Sequence, residues 1–169
     1  MEEEIVNRVA NSSLVTIDLE DLYIKGVRSV FDIKDWLYEG LILKEKDFRA
    51  HVINYDWSKY KDQFVALTCS TDAIIPGWAY MLITTAISPY AKKVIIGSLE
   101  LLETQLYALE IEKLNLVDYT NKPVIVKGCS NKPVPPNAYI ALVQKIQPVV
   151  KSILYGEACS SVPLYKKKK

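Results

Sequence analysis

Apolar residues recur along this chain in two rhythms, one of period two and one of three to four. Leu14–Leu19 (LVTIDL) alternates apolar with polar positions, which predicts a half-buried strand. Val27–Ile33, just after Gly26, holds a second short strand. In Lys44–Asn54, Phe48 and Val52 are spaced for one face of a helix. Asp56-Trp57-Ser58 has the composition of a turn. From Phe64 the pattern sharpens. Phe64–Thr68 (FVALT) is a buried strand, and a loop and a helix follow from about Pro76 to Ser88. Lys93–Ile96 (KVII) is a strand closed by Gly97. Ser98 then caps a helix that runs to about Leu114, with Glu100 and Glu103 in its first turns favoured by the helix dipole. Pro123–Val126 (PVIV) is a strand, Pro136–Gln147 a helix, and Lys151–Tyr155 (KSILY) a strand that Gly156 ends. Strands that alternate with helices of this length predict an α/β fold. Its sheet is mostly parallel, with helical crossovers and edge strands added by the N-terminal third.

Two stretches match each other. CSTDAIIPGWAYMLITTAISPYAKKVIIG begins at Cys69, and CSNKPVPPNAYIALVQKIQPVVKSILYG begins at Cys129. One single-residue gap aligns Cys69 with Cys129, Ser70 with Ser130, Pro76 with Pro135 and Tyr80 with Tyr139. It also aligns Pro89 with Pro148 and Gly97 with Gly156. An internal duplication of a strand, a Cys-Ser loop, a helix and a strand is expected. The prolines start and stop helices at little cost, and the glycines can take the positive φ that halts a strand. The Cys-Ser pair has no such structural excuse. A third pair, Cys159-Ser160, follows the last predicted strand.

Composition narrows the classes. The 169 residues suffice for one domain with a real core, and a net charge of +1 offers no general attraction for nucleic acid. Residues 1–165 are expected to form a single α/β domain, and Lys166–Lys169 a flexible tail. The start, Met1-Glu2-Glu3-Glu4, lacks the basic and apolar parts of a signal peptide, so a cytoplasmic location is expected. Ala73–Ala91 carries no charge and approaches membrane-spanning length. It is broken by Pro76, Gly77 and Pro89, and its matched segment carries Lys145, so a soluble core helix and no membrane contact are expected.

Three cysteines and no export signal argue against a disulfide framework. Cys69, Cys129 and Cys159 each follow a predicted strand, at the sheet edge where open α/β folds bind ligands. If their strands are neighbours, about 4.8 Å apart, the sulfurs converge. Three thiolates suit zinc or an iron–sulfur cluster, with His51, the only histidine, or water as a fourth ligand. Ser70, Ser130 and Ser160 would then donate hydrogen bonds to the sulfurs. A thiol enzyme or persulfide carrier is the second class, with Asp72 or Glu157 as a base and Cys69 and Cys129 ahead of helix starts. No CxxC pair and no cysteine-protease signature accompanies them. The third class is an interaction protein with buried structural cysteines, rich in tyrosine at 11 copies. Tyr80 and Tyr139, matched within the repeat, are expected to pack equivalent helix–sheet contacts.

The runs VFDIKDWLYEGLILKEKDFR, ALTCSTDAIIPGWAYML, VKGCSNKPVP and GEACSSVPLYK span nearly the whole chain. They resemble the domain-of-unknown-function 2480 family, found mainly in Bacteroidetes. The resemblance implies a small cytoplasmic bacterial protein. It implies no activity and transfers no site residue. The occurrence of members near iron–sulfur assembly genes implies a cluster or sulfur role over zinc, and a protein partner in that assembly.

Overall fold

The computed structural model describes residues 13–127, 131–157 and 159–168. Seven strands are present among them: β1 (Val15–Asp18), β2 (Arg28–Asp32), β3 (Phe64–Thr68), β4 (Lys93–Ile96), β5 (Pro123–Lys127), β6 (Ser152–Glu157) and β7 (Ser160–Lys166). The α-helices are α1 (Glu45–Asn54), α2 (Gly77–Ile87), α3 (Leu99–Lys113) and α4 (Pro136–Ile146). The α/β class and the mostly parallel pairing agree with the sequence pattern.

The strands form two sheets, where one was expected. One has the order β2-β3-β4 and the other β1-β5-β6-β7. Every pair is parallel except β6–β7. Alternation along a strand reports which residues are buried, but backbone hydrogen bonds choose the neighbour, so the pattern left the partition open. The N-terminal strands do lie at edges, β1 of one sheet and β2 of the other. The chain divides accordingly into two compact units. One runs from Lys25 to Leu102, and the other combines the chain up to Ile24 with the chain from Glu103 onward.

In the continuous unit, Val65 and Leu67 of β3 meet Ala79, Ile83 and Ile87 of α2 and Phe48 and Val52 of α1. Ile83 is fully buried, which contributes about 1.5–3 kcal/mol of transfer free energy. Trp57 joins this core and donates its indole N–H to the Val52 carbonyl at 2.9 Å, which satisfies a buried acceptor. In the other unit, Val124 and Val126 of β5 meet Ala138, Leu142 and Ile146 of α4, with Tyr107 and Ile111 of α3.

Both units use the same local devices. Asp18 ends β1 and accepts the Glu20 N–H, and Asp32 ends β2 and accepts the Lys34 N–H. Each carboxylate thereby starts a short 3-10 turn, Leu19–Leu22 and Ile33–Trp36. Asp56 and Asn115 do the same for the turns ahead of β3 and β5. Asp62 and Asn121 follow with left-handed φ of +60° and +55°, a conformation these short polar residues tolerate. Ser98 caps α3 as expected, its hydroxyl accepting the Leu101 N–H at 3.2 Å.

The C-terminus departs from the expected pattern. Gly156 does not end its strand. β6 runs on to Glu157 with Gly156 at φ +114°, and a Cβ there would stand 2.8 Å from the Ser160 carbonyl oxygen. The chain then turns back as β7, which contains Pro163. An edge strand tolerates proline because one side of it has no ladder to feed. The lysine run starts inside this strand: Lys166 is its last residue, and the Lys167 N–H donates to the Lys151 carbonyl at 3.0 Å. No helix among the described residues is long and apolar enough to cross a membrane.

Candidate functional site at the cysteine loops

β3 carries the chain through the middle of its sheet and delivers Cys69 at the C-terminal end. The thiol is half-buried and free. It donates to the Thr71 carbonyl at 3.8 Å, with Thr71 Oγ1 3.3 Å from the sulfur. The Tyr80 phenol, on the first turn of α2, is raised above its ordinary pKa by burial and then by negative charge at Cys69. The two side chains are therefore electrostatic neighbours.

Ser70 serves a different group from the one expected. Its N–H donates to Asp32 Oδ1 at 3.1 Å rather than to a sulfur. Burial works to raise the Asp32 carboxyl. The Ser70 hydroxyl, the N–H groups of Lys34 and Ser70 and the charge of Lys34 outweigh it and hold the group below its usual value. Asp32 thus ties the end of edge strand β2 to the loop that carries Cys69. This tie is absent from the predicted site. Its signal was present as the near-repeat Asp18-Leu19-Glu20-Asp21 and Asp32-Ile33-Lys34-Asp35, in which the first aspartate starts a turn.

The other predicted residues are distributed as follows. Cys129 and Ser130 lie outside the described residues. Cys159 is exposed in the turn between β6 and β7, and Ser160 is the first residue of β7, facing Glu157 across the ladder. Glu157 pairs with Lys127 at 2.9 Å, and Asp72 is exposed. His51 stacks on Trp36 with ring centroids 5.4 Å apart, in a hollow it shares with Asp35, Asp47 and Lys44. Tyr80 and Tyr139 each pack, half-buried, against the core of their own unit.

The neighbour relation assumed for the three cysteine-bearing strands holds for β5 and β6 and not for β3, which belongs to the other sheet. Among the described residues, no group of three or more His, Cys, Asp or Glu is placed to hold a metal ion.

A family model described as "protein of unknown function (DUF2480)" matches residues 3–167. The chain belongs to this family. No curated protein and no solved structure matches it. Membership covers nearly the full length, so both units are part of what defines the family.

Proposed function

We propose that this protein is a thiol-dependent sulfur carrier that works at Cys69. The observation that carries the proposal is the setting of that thiol. It stands half-buried at the end of a central parallel strand, with the Thr71 hydroxyl 3.3 Å from the sulfur and its loop anchored by Asp32. In open α/β sheets that edge is where ligands bind. A thiolate attacks the outer sulfur of a persulfide donor, R–S–SH, the S–S bond breaks, and R–S⁻ leaves with Cys69 holding the persulfide. The hydroxyl of Thr71 is placed to donate to the sulfur that carries charge. The matched loop at Cys129 would do the same chemistry in a second copy of the unit. Paired turns at Asp18 and Asp32, at Asp56 and Asn115, and at Asp62 and Asn121 support that duplication.

The test is mass spectrometry of peptides after reaction with glutathione persulfide. A gain of one sulfur atom at Cys69, lost with a reductant and absent in Cys69→Ser, is expected. An unmodified Cys69 under conditions that load free cysteine would refute the assignment.

A second reading has one observation behind it. β5 and β6 are hydrogen-bonded neighbours, so Cys129 and Cys159 follow adjacent strands. Two thiolates there suit zinc or a shared iron–sulfur cluster better than three gathered from both sheets. Elemental analysis and an absorbance spectrum of protein purified without air separate the two. Stoichiometric zinc, or iron with sulfide, lost in Cys129→Ala would establish the metal centre, and metal-free colourless protein would remove it.

A further inference from the structure

Helix α4 covers only part of the sheet it packs on. Its buried stripe, Ala138, Leu142 and Ile146, joins Val124 and Val126 of β5 and Ile153 of β6 in one core. Side chains two residues apart on a strand share a face, so Tyr155 stands on the same face as Ile153. β7 then extends the sheet beyond β6. Between the helix and this hairpin lies an open crevice of about 450 Å³. Val126 and Tyr155 line it from the sheet, Ile140, Val143 and Gln144 from α4, and Leu164 from β7. Tyr139 also lines it and meets Tyr155 edge to face, with centroids 5.9 Å apart and planes at 73°.

Two observations set this crevice apart from ordinary surface. The first is a β-bulge. Leu154 pairs with Pro163 and Ile153 with Tyr165, so Leu164 is an extra residue with no partner across the ladder. A bulge of this kind re-aims a side chain, and Leu164 is one that lines the crevice. The second is apolar exposure on both walls of one hollow. Ile140 is 59% exposed and Leu164 54%. Large apolar groups left in water on facing walls gain free energy when a third apolar body enters between them. In the matched helix of the other unit, Met81 takes the position of Ile140 and is likewise exposed. There β4 is the last strand of its sheet, so no hairpin raises a second wall.

The lining also states what can enter. Among the described residues, no charged side chain lines the crevice, and its polar groups are the Gln144 amide and the two tyrosine phenols. A buried carboxylate, phosphate or ammonium would find no counter-ion there. Val126 is the penultimate residue of β5, so the crevice sits toward the C-terminal end of the parallel strands, where open α/β folds take small ligands. We propose that the crevice between α4 and the β6–β7 hairpin binds a small, mainly hydrocarbon molecule, uncharged along the length it buries, with Gln144 available to a hydroxyl or carbonyl of it. The volume falls within the range of ligand pockets, about 300–1,000 Å³. The site is separate from Cys69 and does not depend on the sulfur chemistry.

The test uses the full chain and the neutral dye N-phenyl-1-naphthylamine, whose fluorescence rises when it leaves water. A saturable rise at one dye per chain, reversed by octan-1-ol, is expected. Ile140→Glu and Leu164→Lys place a charge on opposite walls at exposed positions. Each should leave the melting temperature unchanged and weaken dye binding about tenfold or more, the effect of losing one apolar wall contact. Met81→Glu, at the matched position of the other unit, and Cys69→Ala should bind the dye as the parent does. A rise that does not saturate, or that survives both wall variants, would overturn the proposal, and so would an equal loss in Met81→Glu. Sedimentation velocity tests the rival occupant, a second copy of the chain. A dimer that Ile140→Glu converts to monomer, with no saturable dye signal from the parent, would make the crevice a contact between copies and overturn the ligand site.

Discussion

Gly156→Ala should be among the most damaging single-methyl additions in this protein. Gly156 holds φ +114° inside β6, a conformation that L side chains rarely adopt, and forcing alanine into it costs about 1–3 kcal/mol. A second cost comes from contact. The new Cβ would stand 2.8 Å from the Ser160 carbonyl oxygen, which is backbone and is held in the β6–β7 ladder. Overpacking against a fixed neighbour adds roughly another 1–3 kcal/mol. Together these make about 4 kcal/mol, or a fall in melting temperature of roughly 8–16 °C for a chain of this size. Gly97→Ala is the internal control. Its φ of +136° carries the same conformational cost, but the Cβ would meet Leu101 Cδ2, at 2.7 Å, at the far end of a flexible side chain. Leu101 can change rotamer for about 0.5–1.5 kcal/mol, so Gly97→Ala should lose about 2–3 kcal/mol. Urea denaturation followed by tryptophan fluorescence and circular dichroism reads both. A Gly156→Ala variant no less stable than Gly97→Ala would show that the hairpin yields at Ser160, and that the clash argument fails.

Other outcomes follow from single contacts. Ile83→Ala and Leu142→Ala, both fully buried on α2 and α4, should each cost about 3–4 kcal/mol in urea melts. Trp57→Phe should cost about 2 kcal/mol, because the Val52 carbonyl loses its buried donor, and differential scanning calorimetry measures it. The depressed Asp32 carboxyl contributes stability that is present above its unfolded pKa and is lost as pH falls through its lower folded value. The gap between wild type and Asp32→Asn should therefore be full at neutral pH and close in strongly acidic solution, as stability measured from pH 7 to 2 will show. Brief iodoacetamide treatment should label exposed Cys159 before half-buried Cys69, as counted by peptide mass spectrometry.

The parts of this fold that were legible in the sequence are those written in local chemistry. β3 and β4 occupy the stretches that the apolar runs FVALT and KVII mark out. The prolines 76 and 135 stand at the N-caps of α2 and α4, as their fixed φ suggests. β7 was illegible because Pro163 argues against a strand, and the lysines beyond it imitate a solvated tail. The division into two sheets was illegible for a deeper reason. Nothing in β1 or β2 states that the first must reach β5 while the second takes β3, since that choice rests on pairing across long stretches of chain. The candidate site suffered the same loss. Cysteines at strand ends were visible, but the carboxylate that anchors Ser70 comes from another strand, 38 residues earlier.

The split unit sets a schedule for the molecule's birth. Val15 must find Val124, and everything between Lys25 and Leu102 is made before that meeting. At translation speeds of ~5–20 residues per second, the first strand waits on the order of 5–20 s for its partner. The continuous unit has all three of its strands in hand well before then. The nascent chain can therefore complete one sheet while β1 stays exposed as an unpaired edge upstream of it. Moving the β1 segment to a position just ahead of α3 would remove that wait, and would change the order of folding while keeping the same strand pairs.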